Sequence, residues 1–337
     1  MARLEVRKLG DNELRAWDTL VTGSAQGTVF HSSDWLVKNA SLQNQDLILL
    51  GCYDGEKLIG GCPLHLSRPY NLLGLATSTA ALTPYGGAMV TEIEGARQRA
   101  REAHANRIIT VLLEYTAQQE FDYVNLVNSP GLTDIRVFTR RGWNTTIYYT
   151  YILPLEGEIL KTVSKDVRRN ISKAQKQDIQ STKKFDSGIF WNLMVRTFAK
   201  QGRQPPAPER YLTGMLAMIQ EKGIGEMQVT SMPSGEVVAA EITVWDTKMA
   251  HRWSAASSPE HLSTGAVPLL CYDIFNSLKE RDHTKVNLMS GNIPSLSMFN
   301  SGFNPQLVPY HGADYSRLRY RTLKWLQERI YRDASTR

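Results

Sequence analysis

Val124-Asn125-Leu126-Val127-Asn128-Ser129 and Val286-Asn287-Leu288-Met289-Ser290-Gly291 are two versions of one passage. A glycine followed by an aromatic residue comes after each of them, as Gly142-Trp143 and as Gly302-Phe303. The passages begin at 124 and 286, an offset of 162 residues, and the glycines are offset by 160 in a chain of 337. A repeat at close to half the chain length predicts two related domains in tandem.

The order of predicted elements around the two passages also repeats. Each half contains helices, a hairpin, a further helix, a strand and then the glycine-aromatic pair. Asp54-Gly55 and Ser234-Gly235 are the predicted hairpin turns. We therefore predict an α/β (α+β) chain of two domains, residues 1–153 and 154–337, with the boundary near Leu153-Pro154.

Composition restricts the class of protein without identifying it. The net charge of +6 and pI near 9.1 fit an anionic partner such as a CoA pyrophosphate, tRNA or a phospholipid-linked substrate. Cys52, Cys62 and Cys271 have no metal-like spacing, and free thiols are favoured over a Cys52–Cys62 disulfide. The sequence has neither a signal-peptide pattern nor an apolar run long enough for a membrane span, so a cytoplasmic protein without an integral membrane segment is expected.

A basic segment, residues 161–184, has no counterpart in the first half. Val167, Ile171 and Ala174 recur at helical spacing, which predicts a helix with an apolar stripe between basic flanks. A solvated surface helix is one interpretation. The other is a positively charged rim that holds a phosphate-bearing substrate, with Arg168 and Arg169 as the residues suited to bidentate phosphate contacts.

Several segments together resemble the Fem-type nonribosomal peptidyl transferases, which consist of tandem GNAT-like acyltransferase domains. The resemblance covers most of the chain. It rests on the following segments, in this order: His31-Ser32-Ser33-Asp34-Trp35-Leu36, Thr83-Pro84-Tyr85-Gly86-Gly87, Arg168-Arg169-Asn170-Ile171-Ser172-Lys173-Ala174, residues 197–206 and residues 295–303.

The resemblance implies two GNAT-like domains, each a mixed, mostly antiparallel sheet flanked by helices. It implies transfer of an acyl or aminoacyl group to an amine of a cell-envelope, polysaccharide or small-molecule precursor. Two departures separate this chain from peptidoglycan-branching members: Asn300 stands where those members have a lysine, and the second domain has no room for their long helical hairpin. The departures favour acyl-CoA slightly as donor, whereas the resemblance alone implies aminoacyl-tRNA.

The donor's phosphates are predicted to lie at Ser263-Thr264-Gly265-Ala266, which opens a helix of the second domain. Free amides and the helix dipole favour anions there. The segment is a degraded form of the GNAT pyrophosphate loop, and a Ser/Thr cap with a close-packing glycine is the other interpretation. Gly265→Asp is expected to weaken donor binding and to leave the fold intact. No metal site and no tightly bound cofactor are expected.

The remaining candidates concern the acceptor and the reaction itself. Thr83, Gly86 and Gly87 are predicted to line an acceptor cleft, although a plain turn explains the segment equally well, and Arg203 is predicted to contact an anionic substrate. The candidate catalytic residues are Tyr85, Asn292 and Asn300, with Glu241 and Tyr310 as weaker candidates for base or acid and His251 as a packed residue.

Two rival functions remain open from sequence. One is a catalytically silent binding protein on the same scaffold, which any turnover would exclude. The other is a nucleic-acid binder built on the basic segment, which would show salt-dependent binding. The sequence leaves the acceptor, the transferred group and the oligomeric state undetermined.

Overall fold

In the computed structural model of the chain we describe residues 4–69 and 72–335, and only the backbone of 330–335. Within them are thirteen strands: β1 Glu5–Lys8, β2 Asp46–Asp54, β3 Lys57–Ser67, β4 Leu75–Thr77, β5 Met89–Val90, β6 Tyr123–Val127, β7 Asn144–Pro154, β8 Gln180–Lys183, β9 Gly225–Ser231, β10 Val237–Trp245, β11 Ala250–Ser257, β12 Lys285–Asn287 and β13 Gln306–Ser316. The α-helices are α1 Leu14–Gly23, α2 Ser33–Gln43, α3 Gln98–Gln118, α4 Arg136–Arg140, α5 Ile159–Thr162, α6 Lys165–Lys176, α7 Ser187–Ala199, α8 Glu209–Lys222, α9 Ala266–Glu280, α10 Pro294–Ser301 and α11 Leu318–Ser335.

The chain forms two compact units, which we describe separately. Unit 1 comprises residues 1–147 and 310–337, and unit 2 comprises residues 148–309. In unit 1 the strand order is β1-β2-β3-β4-β6-β13. The β4–β6 pair is parallel, the other pairs in this order are antiparallel, and β5 adds to β3.

Unit 2 repeats that topology. Its strand order is β8-β9-β10-β11-β12-β7, and here too the pair before the last strand is the parallel one, β11–β12. The predicted repeat is therefore observed as two strand arrangements with the same order and directions, each mixed and mostly antiparallel.

The last strand of each sheet comes from the other half of the sequence. β13 pairs with β6 through 312–316, so the end of the chain belongs to unit 1, whereas β7 pairs with β12 in unit 2. The compact units thus differ from the predicted domains 1–153 and 154–337. A boundary chosen from the sequence repeat places β7 in the first domain and β13 in the second. Hydrogen bonding between strands that are distant in sequence instead joins β7 to unit 2 and β13 to unit 1.

Local sequence signals explain where many elements begin and turn. Ser32 accepts a hydrogen bond from the Trp35 amide at 3.4 Å, and Asp186 accepts one from the Ile189 amide at 3.0 Å, as N-cap residues do. Gly55 turns the β2–β3 hairpin at φ +60°, a conformation that costs glycine little. The basic segment is shorter than predicted as a helix: α6 ends at Lys176 and the chain then forms β8.

Helices cover both faces of the unit 1 sheet. An added Cβ at Gly60 would lie 2.3 Å from Ile108 of α3, and one at Gly61 would lie 2.7 Å from Trp17 of α1. The two neighbouring glycines therefore let a helix pack directly on β3 from each side. In unit 2 the core includes the apolar faces of α6 and α9, with Val167, Ile171 and Ala174 buried as the spacing predicted.

Candidate functional site

The central feature of unit 2 is the separation of β11 from β12. The parallel register contains two pairs, Ala250 with Val286 and His251 with Asn287. β12 ends at Asn287, while β11 continues to Ser257. The β12-facing edge of 252–257 therefore lacks a neighbouring strand from β12, and such an edge can pair with an extended ligand.

A buried ion pair lies where the strands separate. Arg252 of β11 donates from Nε to Glu241 Oε1 at 2.5 Å and from Nη2 to Oε2 at 2.6 Å. The side chains are 8% and 1% exposed. Burial opposes the charged form of Arg252, but the neighbouring Cys271 and Glu241 outweigh it, so the pKa of the guanidinium remains above its usual value.

Asn300 connects this ion pair to the loop after β12. Its Oδ1 accepts from Arg252 Nη1 at 3.1 Å, and its Nδ2 donates to the carbonyls of Leu288 and Met289, each at 3.2 Å. Met289 and Ser290 both have left-handed backbones, at φ +60° and +52°. Two consecutive non-glycine residues in that conformation carry strain that the surrounding contacts must sustain, and such strain is frequent at functional sites.

Arg252 retains hydrogen-bonding capacity. A guanidinium has five N–H donors. Three are used, two on Glu241 and one on Asn300, and the remaining two have no partner among the described residues. The site therefore combines a fixed, buried cation with two further N–H donors beside the strand separation.

Asn292 lies in the same loop but is engaged with the backbone of β7. Its Oδ1 accepts from the Tyr149 amide at 2.9 Å and its Nδ2 donates to the Tyr149 carbonyl at 3.2 Å. Both hydrogen-bonding ends of the amide thus hold the loop to β7. Its predicted catalytic role stays a prediction.

The predicted phosphate segment, 263–266, lies where the chain enters α9. Gly265 has φ +87°, and a Cβ there would lie 2.1 Å from the Asn170 carbonyl oxygen of α6. Thr264 Oγ1 accepts from the Ala266 amide at 3.3 Å. Glycine is therefore required for conformation and for helix packing, so the expectation that Gly265→Asp leaves the fold intact is wrong.

The basic helix α6 lies directly beside this entry to α9. Lys173 donates from Nζ to the Ser263 carbonyl at 2.8 Å, which places an exposed cation at the loop. Arg168 donates to the carbonyl of Leu160 at 3.0 Å and so covers the end of α5, while Arg169 forms an exposed ion pair with Asp166 at 3.0 Å. Of these three basic residues, Lys173 is the one that contacts the predicted phosphate segment.

Helix α7 braces the end of β11 and the loop that follows. Thr197 Oγ1 accepts from the Ser257 amide at 3.1 Å, and its single proton lies between the carbonyls of Ser257 at 2.9 Å and Leu193 at 2.8 Å. Arg196 donates to Ser258 at 3.0 Å and to Glu260 at 2.8 Å. The edge beyond the strand separation is thus held in place. Arg203, the other predicted substrate contact, is exposed just after α7.

The predicted acceptor segment of unit 1, Thr83 to Gly87, is part of a packed interior. Tyr85 is 1% exposed, and its ring contacts Phe30 and Tyr310 edge-on at centroid distances of 6.1 and 5.2 Å. Thr83 accepts hydrogen bonds from the side chains of Trp35 and Asn39. The structure therefore favours the interpretation of this segment as an internal turn.

The cysteine thiols are unsuited to serve as nucleophiles. Burial raises the pKa of Cys52, Cys62 and Cys271 to about 12 in each case. The thiolate is the reactive form of cysteine, so at neutral pH these side chains are inert. All three are free thiols, as the sequence favoured over a disulfide.

Sequence reasoning proposed Asn300 and the entry to α9 as site residues but did not propose Arg252. The signal was present: β10 and β11 are mostly uncharged in sequence, and each carries a charged residue in its interior, Glu241 in one and Arg252 in the other. Buried charges are expected in pairs. Pairing them from sequence would have required the register of β10 on β11, where Glu241 lies opposite Ala255.

The chain resembles known proteins in part of its sequence and in its fold. Residues 161–294 match the family model of the acetyltransferase (GNAT) domain. The resemblance to Fem-type tandem GNAT proteins is confirmed at the level of domain and fold. Among curated protein sequences none shows significant similarity.

Solved structures share the fold over nearly the whole chain. A crystal structure of FemX is similar with a TM-score of 0.71 at 12% identity, over 94% of this chain and 98% of that one. A tandem GNAT protein from the clavulanic acid biosynthesis pathway follows with 0.58 and 12%, over 93% and 98%. L-PGS from Bacillus licheniformis is similar with 0.56 and 12%, over 97% of each chain. In the described part of the chain no helix is long and apolar enough to cross a membrane.

Proposed function

We propose that unit 2 transfers an acyl or aminoacyl group from a phosphate-bearing donor to an amine, with the reacting carbonyl at the separation of β11 and β12. The observation that carries the proposal is the end of the β11–β12 pairing at His251 and Asn287, with the buried Arg252 at the point of separation. The family match covers both strands, and the similarity in fold to FemX and L-PGS supports aminoacyl as well as acyl groups.

The donor is proposed to lie along the β11 edge, with its phosphate at the entry to α9. Two features support that placement: the entry is the start of a helix of 15 residues, and Lys173 stands beside it. Acyl-CoA, with a pyrophosphate several atoms from its thioester, fits this arrangement. Aminoacyl-tRNA is the alternative donor of the same reaction.

The reaction is proposed as a direct transfer. The amine nitrogen attacks the carbonyl carbon, a C–N bond forms and the C–S or C–O bond to the donor breaks. The leaving sulfur or oxygen takes up a proton and the nitrogen releases one to solvent. Because the buried thiols are un-ionised, no cysteinyl intermediate is invoked.

Arg252 is proposed to stabilise the oxyanion that develops on the carbonyl. Its two unused N–H donors and its charge suit an oxyanion, and the contacts to Glu241 and Asn300 hold the guanidinium in advance of the reaction. The resemblance implies a lysine at position 300 in branching enzymes. Here the neutral Asn300 contacts a cation supplied by β11, which offers a physical reason why the lysine is dispensable.

Titration calorimetry with acetyl-CoA and with free CoA tests the donor. Lys173→Ala is expected to weaken binding several-fold, whereas Lys176→Ala, three residues further along α6 and equally exposed, is the matched control. Consumption of acetyl-CoA or of aminoacyl-tRNA is then measured with a panel of small amines. Binding of acetyl-CoA that Lys173→Ala leaves unchanged would contradict the placement, and a folded protein that consumes neither donor would contradict the function.

A further inference from the structure

Helix α11 extends over 18 residues at the end of unit 1, and residues 321–329 of it are all exposed. Leu323, Trp325 and Leu326 are 41%, 52% and 44% exposed, and Leu318 is 73% exposed. Isolated apolar residues on a surface are ordinary, but four within nine residues of one helix form a patch. In the folded chain these four side chains remain in contact with water.

The same helix carries a large share of the positive charge. It contains Arg319, Arg321, Lys324, Arg329 and Arg332 against Glu328 and Asp333, a net +3 in 18 residues of a chain whose total is +6. Arg329 lies over the Trp325 ring at 4.7 Å. Cationic and apolar side chains are thus interleaved along one exposed helix.

A cavity of about 400 Å³ opens at the base of α11. Three arginines line it, Arg68, Arg317 and Arg319, with two carboxylates, Glu120 and Asp122, and with Leu72, which is 59% exposed. Arg317 is fixed by the carbonyl of Gln119 at 2.7 Å, and Arg319 lies 4.0 Å from Asp122. The lining thus has one more cation than carboxylates, beside an exposed leucine, where α11 joins the body of unit 1.

We propose that α11, together with the Leu72 edge of this cavity, docks unit 1 on an anionic phospholipid surface. At such a surface leucine and tryptophan enter the boundary between headgroups and acyl chains, while arginine and lysine meet phosphate. Charge complementarity selects this occupant over a second copy of the chain. Pairing two α11 helices would bring a net +3 against another net +3. The inference is independent of the transfer reaction in unit 2.

Co-sedimentation of the full chain with vesicles tests the proposal. Vesicles of phosphatidylcholine with phosphatidylglycerol are compared with pure phosphatidylcholine, at low and high salt. Binding to the anionic vesicles that weakens with salt is expected. Arg321→Glu with Lys324→Glu is expected to reduce partitioning roughly tenfold or more, since each basic residue near the surface contributes about 1 kcal/mol.

Matched variants separate the helix from general surface properties. Arg99→Glu with Arg101→Glu makes the same charge change at exposed positions of α3 and is expected to retain more of the binding. Trp325→Ser with Leu326→Ser is expected to weaken it, whereas Val37→Ser, on the exposed side of α2, is not.

Three results would overturn the proposal. The first is no sedimentation with anionic vesicles, and the second is equal sedimentation with neutral ones. The third is a concentration-dependent dimer, seen by analytical ultracentrifugation, that the α11 variants abolish while vesicle binding persists. That result would assign the exposed helix to self-association.

Discussion

The two parallel strand pairs of the molecule have the same topology and different surroundings. In unit 1, β4 pairs with β6 over three residues, and the chain then returns to β6: the Gly86 amide donates to the Val127 carbonyl at 3.0 Å. In unit 2, β11 leaves β12 after two pairs, and the site beside the separation holds Arg252 and Asn300. One separation is filled by the protein's own turn, and the other is lined by polar groups.

The difference explains why a repeated fold need not give two equal sites. An added Cβ would lie 1.8 Å from the Ser78 carbonyl oxygen at Gly86 and 2.1 Å from Asn128 Oδ1 at Gly87. The turn can occupy the unit 1 separation only because these positions lack side chains. Closure by its own turn therefore distinguishes unit 1 from unit 2, the unit for which donor binding is proposed.

The largest effect on the contrast between the two units is expected from removal of the ion pair of unit 2. Arg252→Met leaves Glu241 buried and unpaired, so we expect a loss of about 3–5 kcal/mol in the free energy of unfolding. Glu241→Leu with Arg252→Met replaces the pair by apolar groups and should recover most of that stability. Urea unfolding of the parent, the single variant and the double variant measures both effects.

The folded double variant then separates stability from catalysis. Loss of an oxyanion donor should lower the transfer rate by about 100-fold or more. If the double variant folds and transfers at the parental rate, the ion pair contributes to stability and not to catalysis. The ion pair would then not distinguish the two units in activity.

The next test adds a side chain to the turn that occupies the separation of β4 from β6 in unit 1. Gly86→Ala forces a methyl group against the Ser78 backbone, which cannot yield as a flexible side chain would, so a loss of about 3 kcal/mol in unfolding free energy is expected. Gly23→Ala, where a Cβ meets nothing within 4 Å, is the control and should be neutral or slightly stabilising. Similar unfolding midpoints for the two variants would show that the turn is loosely held.

How much of this contrast could be predicted from the sequence depends on how far apart the interacting residues lie along the chain. The hairpin turn at Gly55 and the apolar stripe of α6 follow from neighbouring residues, and both were predicted. The return of the 83–87 turn to β6 was not predicted, because it depends on contacts between residues more than 40 positions apart. The same holds for the contact of Arg252 with Asn300.

A smaller effect is expected from acid, and it should act through unit 1. His65 is 2% exposed and neither ring nitrogen has a partner among the described residues, so burial lowers its pKa to about 4. In the unfolded chain the pKa is near 6.5. The unfolded state therefore binds the proton first, and stability is complete above about pH 6.5 and falls as the pH drops towards 4.

At pH 5 the resulting loss is about 2 kcal/mol, measured as the difference in unfolding free energy between pH 7 and pH 5. His65→Leu should remove this contribution from the pH dependence. If the His65→Leu variant keeps the parental pH dependence, protonation of His65 is not its cause.

The smallest predicted effect concerns the brace that keeps the unit 2 opening in shape. Thr197→Val preserves the shape of the side chain and removes both hydrogen bonds to Ser257, which should cost about 1 kcal/mol in unfolding free energy. Thr22→Val in α1 of unit 1 removes a single exposed contact to the Asp18 carbonyl and should cost less. If the brace positions the donor edge, Thr197→Val also weakens donor binding measured at a temperature where the variant is fully folded, and Thr22→Val leaves it unchanged. A loss of stability without any change in donor affinity would mean that the β11 edge keeps its shape without α7, and that the contrast between the units resides in Arg252 and its partners alone.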